Sequence, residues 1–394
     1  MMSLRILMLF LGHVLCPHLY GQESPGSPIK FAGIWLTGKA VDSDSNFPIG
    51  KRYAAQFGND DTTDLSKKLL GQVRFAAKAG GKRLVDRVAP DDFVPGAASG
   101  KALVMACALN YEHVESIQIG DVKKVLAEIG FDLVICDFSD RSVVVSLPGR
   151  VIRTDISKGP VSEAQKKQLL EHIYSNELIK HFLKLATSCG PELLGIKSAA
   201  VTKVTILEDA QKVFPPWLKS RAEEYYSNFA GSNFYEGAGL PLLPFSRGNE
   251  VVYCAMRENL TDASTLVEKS IKESGNDGVA FVLKKPEYDI ELTIPGFLTA
   301  TASNSPAGKV VQNCAYARIT IKKGDMVIYS EKHDANVQNI IPQGSPNTTP
   351  WLAYLDATNK LFFEASKRIS SQKNAQIKQM LTECAPSSLL KSKP

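Results

Sequence analysis

Histidine is scarce in this 394-residue sequence, and the patterns that would put it to chemical use are missing. Beyond residue 21 only His113, His172, His181 and His333 occur, and there is no His-Glu-x-x-His. His172 and His181 fall on opposite sides of a helix, so one metal cannot bind both. No Cys-x-x-Cys is present, which excludes a thioredoxin-type redox pair and a ribbon-type zinc site. No stretch approaches the ~20 apolar residues that a membrane-spanning helix needs. Arginine-rich stripes with interleaved aromatics are also missing and the net charge is only +5, so nucleic acid is not an expected partner.

Motifs that come close fail on inspection. Gly96-Ala-Ala-Ser-Gly-Lys-Ala102 is one residue short of a phosphate-binding loop, and Ala102 replaces the required hydroxyl. Asp60, Asp61 and Asp64 precede a helix whose dipole and amides they suit, and they lack the spacing of a calcium loop. Ser370-Ser-Gln-Lys373 matches an acyl-enzyme spacing without its companion motifs. His333-Asp334 would point apart on an extended chain, and a solvated turn is the expectation there. No catalytic, cofactor or metal residue is assigned, and no cofactor is expected.

What is present begins with an export signal. Arg5 and the apolar run Ile6–Cys16 read as a signal peptide over residues 1–21, giving a mature chain from Gln22. Removing it lowers the net charge from +5 to +4, because Arg5 is its only charge. Six cysteines remain, at 107, 136, 189, 254, 314 and 384. Cys107 and Cys254 sit in strand-like runs as buried thiols, whereas Cys189 and Cys384 each follow a helix-like segment and are candidates for a bridge.

The ordered chain reads as α+β: two small strand–helix–strand sheet domains joined by a helical connector, with a C-terminal helix. The boundaries are expected at 22–160, 161–235, 236–345 and 346–394. A strand over 31–37, a helix over 62–79 and a strand over 83–88 form the first unit. Residues 121–138 support two readings: a short helix on Val122, Val125, Leu126 and Ile129 followed by a strand from Phe131, which is the expectation, or one long alternating strand. Helices are expected over 162–187, from Trp217 to Phe229 and over 351–383, and a hairpin over Cys314–Ile321 and Met326–Ser330.

A shift of 147 positions lays Val104–Leu109 on Val251–Met256 and Val143–Gly149 on Ile290–Gly296. This is either a duplication or the chance agreement of two ordinary α/β segments, and different strand orders would rule the duplication out. Trp217, Tyr225, Tyr226, Phe229, Phe234 and Tyr235 crowd together. They are either a surface platform for a glycan or a partner chain, or the rings that dock the connector onto the two domains.

Leu84-Val85-Asp86-Arg87, the run Glu287–Gly296 and the hairpin Ala317–Ile321 to Val327–Ser330 are similar to the periplasmic domains of the curli-secretion-channel family and to the amino-terminal domain of the Tol translocation protein. No lipid-attachment cysteine or barrel-forming segment accompanies them. The resemblance implies a non-catalytic binding module of the bacterial envelope. The expected function is therefore an exported, periplasmic or extracellular, non-enzymatic protein that binds or assembles with other envelope proteins. The alternatives are an exported hydrolase with a site assembled from scattered residues, and a glycan- or peptidoglycan-binding module.

Overall fold

The computed structural model describes residues 29–38, 46–55, 65–78, 83–88, 103–119, 122–255, 278–306, 308–342 and 351–386. The signal segment, the Asp60/Asp61/Asp64 cluster and the Gly96–Ala102 stretch lie outside the described residues.

The first unit runs β1 (Ile29–Thr37), α1 (Gly50–Ala55), α2 (Leu65–Lys78), β2 (Leu103–Ile119), β3 (Val122–Asp137) and β4 (Ser142–Ser157). It ends in α3 (Glu163–His172), a π-turn over Ile173–Glu177 and α4 (Leu178–Ser188). Strand β1 is parallel to β2; β2, β3 and β4 are antiparallel neighbours. Alternate residues of β3, from Val125 through Ile129 and Phe131 to Ile135, join the core under α2, α3 and α4. Val134 and Cys136 face the other way, into a barrel interior.

The second unit runs β5 (Ala199–Ile206), α5 (Glu208–Gln211), α6 (Pro216–Lys219), α7 (Ala222–Ala238), β6 (Glu250–Ala255), β7 (Val279–Leu283) and β8 (Tyr288–Ile294). It continues through β9 (Phe297–Ser305), β10 (Gly308–Lys323), β11 (Met326–Pro342), α8 (Trp351–Ser370) and α9 (Ala375–Cys384). Strands β6 and β7 leave this unit and close the first one into a barrel of order β1-β2-β3-β4-β7-β6. Inside it, Trp35 stacks on Phe281 with centroids 5.9 Å apart, and Ala106 and Ala108 on β2 leave room for the rings. The remaining strands form a five-stranded sheet, β11-β10-β8-β5, with β9 pairing β10 beside β8. Helices α7 and α8 cover one face of it in a single core. The protein is α+β.

The 147-residue repeat does not survive. Its first pair of blocks, β2 and β4, share one barrel, whereas its second pair, β6 and β8, lie in different sheets. A different repetition, of strand order and direction, is present. Strand β5 is parallel to β8, β8 antiparallel to β10 and β10 antiparallel to β11, which repeats the order and directions of β1-β2-β3-β4. Each set has helices in its parallel crossover and a helix after its last strand. In the corresponding strands, Ile129–Ile135 of β3 and Ala315–Ile321 of β10 both carry apolar residues at alternate positions. Only the first set is closed, because the hairpin that closes it is inserted between β5 and β8.

Other expectations change for local reasons. Of residues 121–138, Val122–Asp137 form one strand, paired along its length with β2 and β4; both of its faces are buried, so apolar residues on both sides mimic helical spacing. The strand expected over 83–88 is instead a 3-10 turn at Leu84–Arg87, closed by Asp86 accepting from the Arg83 amide at 2.8 Å. The connector expected over 161–235 contains strand β5, and the helix expected over 351–383 breaks before Asn374, whose side chain caps α9. The helix starting near Trp217 comes in two pieces and extends to Ala238, where Gly239 takes a left-handed conformation (φ 72°). His333 is in β11, buried, within 2.8 Å of the Tyr329 hydroxyl. Helix α3 starts as expected, with Ser162 and Gln165 forming a capping box.

Cys189 and Cys384 are free and belong to different cores, so the bridge considered between them does not form. Cys107 and Cys254 are buried thiols.

One carboxylate binds the backbone of the 46–55 segment, beside the buried Phe47 and the Arg52–Glu171 ion pair. Glu112 accepts from the amides of Ile49 and Gly50, both at 2.7 Å, and from the Tyr174 hydroxyl at 2.6 Å. Tyr174 sits in the π-turn, and Tyr53 of α1 stacks on it at 4.9 Å. Glu112→Ala is expected to cost about 2 kcal/mol, as charge-assisted bonds of this kind do, and to speed amide exchange around Gly50 ahead of the strands. Unchanged exchange at Ile49 and Gly50 would show that the clamp is inert.

Candidate functional site

The two units meet at a buried ion pair. Glu128 on β3 is fully buried, and Arg150 on β4 lies 3.4 Å from it with a side chain only 9% exposed. The hydroxyls of Tyr111 and Tyr225 donate to Glu128 at 2.8 and 3.1 Å. Burial and then the Glu128 charge push both phenols well above their ordinary range, so they remain donors. Gly130 makes room for this arrangement: a Cβ there would lie 2.2 Å from the Tyr111 ring. Arg150 also lies 3.7 Å over the Phe229 ring of α7 and donates to Asn359 of α8, so the second unit's helices are fastened to the first unit's sheet. Lys124 pairs with Asp356 farther along the same seam.

Beside this joint the units leave a cleft of about 380 Å³. Its floor is the half-buried Phe363, backed by the core side chains Phe131 and Leu185 and closed at Gly149, where a Cβ would meet the Phe131 ring at 2.5 Å. Helix α4 presents His181, Lys184 and Ser188 on one face, following the 3.6-residue period. Helix α7 contributes Tyr235 and Glu236. Burial, followed by the Lys184 charge, lowers the His181 pKa, with Glu236 acting against it, so the imidazole is neutral at neutral pH.

The distances in the cleft limit which side chains can act on one another. Ser188 is 2.9 Å from the Tyr235 hydroxyl and donates to the Leu185 carbonyl, while His181 lies two helical turns away, a rise of about 10 Å. A base must be within hydrogen-bond reach of the nucleophile it activates. Cys189, 3.1 Å from Tyr235, is a buried thiol whose pKa burial raises, the opposite of an activated thiolate. Among the described residues no group of His, Cys, Asp and Glu is arranged to hold a metal ion, and no helix is long and apolar enough to cross a membrane.

Five of the six aromatic residues singled out in the sequence are core residues. Tyr225, Tyr226, Phe229, Phe234 and Tyr235 are buried on α7, so they do not form a surface platform. Trp217 is half-buried, stacked on His113 at 3.8 Å. Only Tyr235 reaches the cleft. The cleft residues on α4 and β4 were missed, because His181, Lys184 and Ser188 read as the polar side of an amphipathic helix and nothing local marks Arg150.

No family model and no curated protein matches the chain. Among solved structures, a hypothetical protein from Chlamydia trachomatis is similar at 14% identity, covering 44% of this chain and 96% of its own, with a TM-score of 0.25. A proposed neuraminyllactose-binding hemagglutinin homolog from Helicobacter pylori is similar at 10% identity, covering 47% of this chain and 88% of its own, also with a TM-score of 0.25. Likeness at that level carries nothing over to this protein.

Proposed function

We propose that this protein is an exported, non-catalytic component of a bacterial envelope that works by binding a partner protein. The observation that carries the reading is the cleft at a fixed joint. Two similar units are fastened through Glu128 and Arg150, and the space left beside the fastening combines an apolar floor with charged walls. Such pockets, preformed between rigid bodies, are ordinary binding sites. Export rests on the Arg5–Cys16 segment, and an envelope setting rests on the resemblance of the Glu287–Gly296 run and the β10–β11 hairpin to periplasmic binding domains.

The test is crosslinking of source-cell envelopes with the tagged full chain present, followed by affinity capture and mass spectrometry. A small reproducible set of envelope proteins is expected. Capture of the bait alone, or turnover of an ester, peptide or glycoside by the pure protein, would sink the proposal.

A further inference from the structure

We infer that the cleft is a receptor for the carboxyl end of a partner polypeptide whose last side chain is apolar, read by Lys184 on one wall and Glu236 on the other. The inference deepens the partner-binding reading above and rests on it.

Size is the first argument. At about 380 Å³ the cleft is near the small end of ligand sites, which run from about 300 to 1,000 Å³. It holds one or two residues, not a folded surface. Composition is the second. The accessible floor is mostly apolar: the half-buried Phe363 ring, with the Lys367 ammonium 4.4 Å over it, is backed by the core side chains Phe131 and Leu185. A fully polar ligand such as inorganic phosphate would leave that floor unused and would face Glu236.

Charge is the third argument. Lys184 and Glu236 are both exposed, and neither is in an ion pair among the described residues. They come from different helices and both act on His181, so they lie on the same opening with opposite signs. A purely apolar ligand would partly desolvate both charges without compensating either. A chain end answers both: its carboxylate pairs with Lys184, its backbone N–H donates to Glu236, and its last side chain lies on the floor. Arg150 adds a guanidinium that does not need to be ordered on binding, because Glu128, Asn359 and the Phe229 ring already hold it.

The same chemistry could come from a free apolar acid, so three probes are needed: acetyl-Leu-Phe with a free carboxylate, its carboxamide, and octanoate. Binding to the mature full-length protein would be followed by calorimetry and by NMR of the His181 ring. The dipeptide acid is expected to bind, to move the His181 signal and to raise its pKa. The carboxamide is expected to bind at least about tenfold more weakly, and Lys184→Glu to cost a similar factor for the acid. Glu236→Gln should weaken the dipeptide and leave octanoate unchanged. Both substitutions are at exposed positions, and unchanged circular dichroism would confirm folding. Equal binding of acid and amide, or an unmoved His181 signal, would overturn the inference. Octanoate binding as tightly as the dipeptide would overturn the polypeptide source. An envelope partner captured equally well by Lys184→Glu would overturn this site and leave the partner-binding reading standing.

Discussion

Replacing Arg150 with Met is expected to destabilise the protein by about 3–5 kcal/mol, the usual cost of leaving a buried charge without its partner. Glu128 has no exposed surface, so once the guanidinium is gone its carboxylate is left with two phenol hydroxyls and no countercharge. The same substitution removes the cation from the Phe229 ring and the donor from Asn359, so the loss should loosen α7 and α8 from the first unit's sheet. The double variant Glu128→Gln/Arg150→Met should recover most of the loss, because it removes the unpaired charge and keeps the packing. Urea unfolding of the two single variants and the double variant measures the coupling directly. If the effects of the single variants simply add, the pair does not hold the joint.

The second large effect concerns Asp132, which projects into the barrel interior. Its carboxylate accepts from Asn110 at 3.0 Å, and Asn110 in turn accepts from Thr37 at 2.9 Å. Burial dominates these bonds and pushes its pKa from 3.8 up to about 6. A carboxyl group whose folded pKa is raised holds its proton more tightly in the folded state. Its ionisation therefore costs stability as pH rises from about 4 through 6, and the full cost is present above that. A shift of this size corresponds to roughly 3 kcal/mol at neutral pH, an upper figure. Asp132→Asn is expected to raise the melting temperature at pH 8 by several degrees and to make little difference at pH 4. Thermal melts at pH 4, 6 and 8 check it, and a gap that does not vary with pH would show that the buried charge is not the cause.

Asp132 and Glu128 are both buried carboxylates held by buried donors. Neither was marked in the sequence as a candidate site, because a lone Asp or Glu in a strand reads as a solvent-facing residue. Their burial comes from elsewhere in the chain. Asp132 is enclosed because β6 and β7, inserted more than a hundred residues later, close the barrel. Glu128 is covered because α7, with Tyr225, lies across β3.

Local patterning sufficed wherever one face of an element is buried and the other is wet. Residues 162–187, the β10–β11 hairpin and the α+β class could all be read that way, since periods of 3.6 and 2 report which side meets the core. It failed where both faces are covered. Strand β3 loses its two-residue period between the helix layer and the second unit, and α7 is buried on nearly every side, so its tyrosines look available when they are core. Pairing was equally out of reach. Nothing near Glu250 or Val279 says that those strands leave their own unit, so the apparent 147-residue repeat compared strands from different sheets. Periodicity records that a face is buried and not what buries it. The joint, the cleft and the repeated topology depend on which distant segment does the burying, and that was settled when the two units packed together.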